Sequence, residues 1–195
     1  MILEKMNKRS ASQTKRAIMD AALNLFTRYG FSRTTMRMIA KEANMSVGAL
    51  YVHFRNKEDL GLFILREKME ELLEEINRSI AREKKAESKL KAFIETCLSH
   101  ARKNRELIVA HSKEKGFTFG LEVKKEYYER HRDLVKQIVS QGIREGEFRE
   151  IDPEDVARVV TALIRGYVIS MILEEEHTPT EPDYWSLLFY GLKKG

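Results

Sequence analysis

From Thr14 onward the apolar residues Ile18, Ala21, Ala22, Leu25, Phe26 and Tyr29 recur at the i, i+3, i+4, i+7 spacing of an amphipathic helix. Gly30 is a natural stop, and Phe31 is placed to fold back on the last turn. Thr34 or Thr35 can cap a second helix whose inner face is Met36, Ile39, Ala40 and Ala43. The triplet Asn44-Met45-Ser46 interrupts it: Asn tolerates a left-handed backbone, Met45 can point inward, and Ser46 can cap a third helix. Val47, Leu50 and Phe54 form the buried side of that helix, and Asn56, with Asp59 three residues on, caps a fourth. Two short helices joined by so tight a turn form the helix-turn-helix layout, whose second helix can enter a major groove.

Beyond Lys57 the pattern lengthens. Helices are predicted over Leu60–Lys84, Ser88–Lys103, Glu106–Glu114 and Glu122–Arg144, with a Gly/Phe break at residues 116–120. Asp152-Pro153 opens a helix that is apolar nearly all round, and a last amphipathic helix holds Tyr184, Trp185, Leu188, Phe189 and Leu192. The expected architecture is all-α: a flexible basic arm over 1–11, a three-helix helix-turn-helix domain fit to bind DNA over 12–57, and a larger helical domain over 58–195, to which the resemblance given below assigns ligand sensing and dimerisation. About nine helices are expected in total.

Charge sharpens this division. Of 195 residues with net charge +5, residues 1–57 carry eleven Lys/Arg against three acids, a net of +8, and the remainder is left at −3. A basic head on a mildly acidic body suits a polyanion partner. The single Cys97 cannot form an internal disulfide, and neither a signal peptide nor a bilayer-length apolar run is present, so a soluble cytoplasmic protein is expected. Enzyme chemistry finds little purchase. Cys97 and His100 make one Cys-x-x-His pair with no second, and Glu174-Glu175-Glu176-His177 lies in an acid run at a helix end. His111, His131 and Cys97 come with no nucleophile elbow or phosphate loop, so no metal or cofactor is expected. A helical adaptor module is the remaining alternative, but it would not need the +8 head.

The stretches KRAIMDAALNLFTRYGF, TTMRMIAKEANMSVGALYVHF and NKEDL resemble the DNA-binding domain of the tetracycline-repressor-like (TetR) family of bacterial regulators over residues 14–60. Many relatives carry Gly in place of Asn44, and many carry an acid in place of Met38. Here that capping box stays open, costing roughly 0.5–1 kcal/mol. The resemblance implies a dimeric, ligand-responsive regulator, a repressor rather than an activator, on a palindromic operator.

Phosphate contacts are expected from Thr34 or Thr35, Arg37, Ser46, Tyr51 and Lys57, the last two looking like the family's usual backbone clamps. The groove-facing positions Val47, Gly48, Ala49, Val52 and His53 include none of the Arg, Lys, Asn or Gln side chains that read bases bidentately. Thymine-methyl contacts and DNA shape should therefore carry specificity, with Lys8, Arg9, Lys15 or Arg16 available from the arm. A ligand pocket in the middle helices is implied by the resemblance, with Phe93, Cys97, His100, Phe117, Phe119, Tyr127, Tyr128, His131, Arg165 and Tyr167 as candidate walls. Arg165 stands in the apolar run VVTALIRGYVISMIL, so a partner is expected for it, either Glu126 or Glu129 or an anionic ligand. The last two helices should pair across the dimer axis through Val160, Leu163, Ile164, Tyr167, Val168, Met171, Trp185, Leu188 and Phe189.

Overall fold

The computed structural model describes residues 2–115, 119–173, 186 and 189–192, with the side chains of 2–12, 110, 111 and 113–115 outside that description. The expected positions Phe117, Trp185 and Leu188 lie outside the described residues, as do the side chains of Lys8, Arg9 and His111. The fold is all-α. Among the described residues eight helices run α1 (Ile2–Tyr29), α2 (Met36–Glu42), α3 (Val47–His53), α4 (Lys57–Ile80), α5 (Ala86–Lys103), α6 (Arg105–Lys115), α7 (Leu121–Arg144) and α8 (Pro153–Ile172), and Phe189–Leu192 are again helical. Among the described residues no helix is long and apolar enough to cross a membrane.

The chain folds into two compact units, one of residues 1–66 with 106–119, the other of 67–105 with 120–195, so it passes from the first to the second within α4. In the first unit Ile18, Ala22, Leu25 and Phe26 of α1 meet Ile39 and Ala40 of α2, Leu50 of α3 and Leu60 and Ile64 of α4 in a single core. The helix ends follow their sequence signals. Gly30 stops α1 at φ 80, and Phe31 turns back so that its ring lies 4.8 Å from that of Phe26. The α2–α3 turn is a Schellman arrangement with Asn44 in the left-handed position (φ 52): its N–H donates to Lys41 O (3.2 Å) and that of Met45 to Ala40 O (2.9 Å).

One expectation is revised here. The arm over 1–11 is not separate from the head: its backbone from Ile2 continues α1. The stretch ILEKMNKRSASQ contains no Gly or Pro, so nothing in it breaks the helix.

In the second unit α7 packs on both α5 and α8. Leu90, Phe93 and Leu98 of α5, Val135 and Val139 of α7, and Val160 of α8 are fully buried. Asp152 caps α8, accepting from Glu154 N at 2.8 Å, with Pro153 as first helical residue. Gly142 allows a close approach: a Cβ there would lie 2.3 Å from the Phe148 ring, which folds under the end of α7.

Candidate nucleic-acid interface and effector region

In the first unit α3 is held by its termini. Ser46 Oγ accepts from Ala49 N (3.1 Å) at its start, and Leu50 and Phe54 anchor it in the core. Helical periodicity then turns Gly48, Ala49, Tyr51 and Val52 to solvent; Tyr51 is 50% and Val52 81% exposed. An exposed Val and Tyr side by side on a seven-residue helix are unusual in a core-packed element and form a contact face. His53 is half-buried beside them, and Val47, also half-buried, packs partly on the core and offers less of itself than expected. Arg37 is exposed on α2, and Thr35, also exposed, caps that helix by accepting from Met38 N at 3.2 Å. Arg33 and Arg55, outside the expected set, are exposed basic residues beside the starts of α2 and α4. Their signal was available, since cations flanking the helix-turn-helix pair add to its charge.

Two of the expected contacts turn inward in this structure, Thr34, which leaves Thr35 as the exposed one of that pair, and Lys57. Thr34 is fully buried, and its hydroxyl donates inward to Gly30 O (2.8 Å) and Leu25 O (3.3 Å), so it fastens the end of α1 rather than meeting a phosphate. Lys57 is half-buried, and its ammonium donates to the carbonyls of Phe31 (2.6 Å), Ser32 (3.2 Å) and Thr34 (2.7 Å), over the Phe31 ring at 4.6 Å. An ammonium has three N–H donors, and these carbonyls take them. Lys57 is therefore a clasp on the α1–α2 turn. Lys15 likewise turns to the core edge, 5.5 Å from the Phe63 ring, whereas Arg16 is exposed.

In the second unit Phe93 and Cys97 of α5 and Tyr127, His131 and Tyr167 of α7 and α8 are all buried. The His131 ring stands 3.9 Å from that of Tyr127 and 5.2 Å from that of Phe93. Burial, with the Arg130 charge second, pushes the His131 imidazole down to about 3, so it is neutral at physiological pH. Burial pushes the Tyr127 phenol and the Cys97 thiol up. Tyr128 is half-buried, its phenol also raised by burial, and it lies under the Arg165 guanidinium at 5.2 Å.

Other candidates scatter. His100 turns to Glu75 of α4, with its Nδ1 3.1 Å from the carboxylate. Phe119 belongs to the first unit, its ring 6.3 Å from Phe31. Arg165 is exposed rather than buried; it pairs with neither proposed carboxylate but stacks on Tyr128, because α8 turns this face outward.

The residues expected at a dimer face divide by burial. Val160, Ile164, Tyr167 and Met171 are consumed by their own core, while Leu163 and Val168 are half-buried. The face left outside is Val159 (52% exposed), Ala162, Gly166, Ile169 (44%) and Leu173 (61%), one helical stripe of apolar and small residues. Phe189 is half-buried in the last helical stretch.

Comparison with known proteins fits both units. Residues 18–62 match the profile of bacterial regulatory proteins of the tetR family, and residues 121–183 that of the C-terminal domain of BetI-type transcriptional repressors. The chain belongs to the TetR family. An uncharacterised helix-turn-helix transcriptional regulator of Bacillus subtilis, YhgD, is 27% identical over 87% of this chain and 88% of its own length. The fatty acid metabolism regulator protein of the same organism is 24% identical over 82% of this chain and 84% of its own length. In structure, a TetR transcription regulator from Haloarcula marismortui superposes with a TM-score of 0.82 at 22% identity, covering 94% of this chain and all of the other. As a TetR protein the chain is a DNA-binding, ligand-responsive transcriptional regulator.

Proposed function

We propose that this protein works in the cytoplasm as a homodimeric repressor on a palindromic operator, released when a small molecule binds the second unit. The observation that carries the DNA half of this reading is the outward face of α3, with Gly48, Ala49, Tyr51 and Val52 exposed on a helix locked by Leu50 and Phe54. In this reading α3 enters the major groove, Val52 and Ala49 meet thymine methyls, and Gly48 lets the backbone come close. Tyr51, Ser46, Thr35, Arg37, Arg33 and Arg55 meet phosphates, and His53 donates to a guanine or a phosphate. The α8 stripe supports the dimer: an isologous pair would cover an apolar face that a lone chain leaves wet. Effector binding shifts the protein from its DNA-binding population only in so far as the effector prefers the other one.

The deciding experiment is fluorescence anisotropy on DNA upstream of the protein's own gene and on sites selected from random DNA, across a salt series and against scrambled competitor. A specific complex that outlasts competitor and loosens steeply with salt is expected. Equal affinity for selected and scrambled DNA would leave the basic head serving some other polyanion.

A further inference from the structure

Four polar side chains are buried among the described residues, and three are fully answered. Thr34 donates to Gly30 O and Leu25 O, Thr161 to Ala157 O and Arg158 O, and His100 meets Glu75. His131, the fourth, is 1% exposed, and neither of its ring nitrogens has a hydrogen-bond partner. Among the described residues the one other buried side-chain atom in that state is the hydroxyl of Tyr127, 6% exposed and one turn earlier on α7. All three orphaned atoms thus sit on two neighbouring rings 3.9 Å apart, with the apolar Phe93 ring 5.2 Å from that of His131. A folded protein rarely leaves one buried polar group unanswered, and three together mark a place where something else completes the bonding.

We infer that Tyr127 and His131 are the polar recognition point of the effector site, and that the effector presents to them an uncharged oxygen, a hydroxyl or carbonyl, on an apolar body. This rests on the reading of the second unit as the effector sensor and names the chemistry it selects. The neutral pair offers two donors, the Tyr127 O–H and one imidazole N–H, and two acceptors, the phenol oxygen and the other ring nitrogen. A hydroxyl can both accept and donate there, and a carbonyl can accept from both donors. A carboxylate would need a cation to offset its desolvation. The Arg130 guanidinium already holds the Glu70 carboxylate through both its terminal nitrogens, and that of Arg165 lies on Tyr128 at an exposed position.

The test uses the full chain and three probes of one chain length, octan-1-ol, octan-2-one and octanoate, read by thermal melting and by titration calorimetry. The alcohol or the ketone should raise the melting temperature, and octanoate should raise it less. Tyr127→Phe, which removes only the orphaned hydroxyl, should melt no lower than the wild type without probe. It should bind the uncharged probes about tenfold more weakly, the loss of one hydrogen bond. His131→Leu should weaken the same probes. Stronger binding of octanoate, or no binding of any probe, overturns the inference. A melting temperature several degrees lower for Tyr127→Phe overturns it too, since the hydroxyl would then be satisfied by buried water alone. The same preparations are tested on DNA: specific binding without uncharged-probe binding sinks this inference and leaves the regulator standing. Probe binding without specific DNA binding does the reverse.

Discussion

Single side chains in the head divide between those that hold it and those that face outward, and exposure tells them apart. Thr34 gives its hydroxyl to two carbonyls at the end of α1, so Thr34→Val should cost about 1–2 kcal/mol in urea unfolding while leaving the salt slope of DNA binding unchanged. Val52 does the opposite. At 81% exposed it supports little of the fold, and Val52→Ala should change the preferred DNA sequence more than the stability or the overall affinity. Equal losses on selected and random DNA would remove it from the groove. His131 sets a pH dependence whose sign follows from burial. Its ordinary value is 6.5 and burial lowers it to about 3, so the unfolded chain takes up the proton first as pH falls. The stability it contributes is whole above about 6.5 and is lost between there and about 3, at up to about 1.4 kcal/mol per pH unit. His131→Leu should flatten the wild-type decline in melting temperature across that window.

At the scale of the elements, the helix ends carry the energetics. Gly142→Ala would put a methyl against the Phe148 ring, which is buried under the end of α7, and should cost about 1–3 kcal/mol in thermal or denaturant unfolding. These ends were also the most legible part of the sequence. Thr35, Ser46, Asn56 and Asp152 cap where local chemistry says they should, and Asn44 takes the left-handed position the turn requires. The box at Asn56 is offset by one residue, since the Asp59 carboxylate accepts from Arg55 N, not Asn56 N. What could not be read are choices made by distant partners. The carbonyls that occupy Lys57 belong to residues 31, 32 and 34, so a helix N-terminus seen locally looked like an anion site. On α8 the run is apolar nearly all round, and periodicity cannot say which side a neighbour covers. Val160, Ile164 and Tyr167 went inward and Arg165 outward because α7 lies where it does.

At the scale of the whole molecule, charge and oligomeric state belong together. A head with net charge +8 meets only a few phosphates alone, and two on one site roughly double the counterions released. The exposed α8 stripe sets the expected pairing. Gly166 lies at its centre, and a methyl added there would meet nothing within 4 Å, so Gly166→Glu should leave the fold intact and place a charge on the face. Sedimentation should then find monomers at low micromolar concentration, with operator affinity and salt slope both reduced. A variant that stays dimeric would move the interface off α8.

The clasp at Lys57 also makes this amine a reporter of motion. Its nitrogen is engaged by three carbonyls with the Phe31 ring beside it, so an acylating reagent finds its lone pair most readily when the α1–α2 turn lets go. Labelled beside the exposed Lys41, it should react more slowly, and the ratio of the two rates, followed by mass spectrometry, measures the fraction of time the turn stands open. Acylation, once it occurs, removes the charge and the donors together, so each opening caught by reagent is recorded for good.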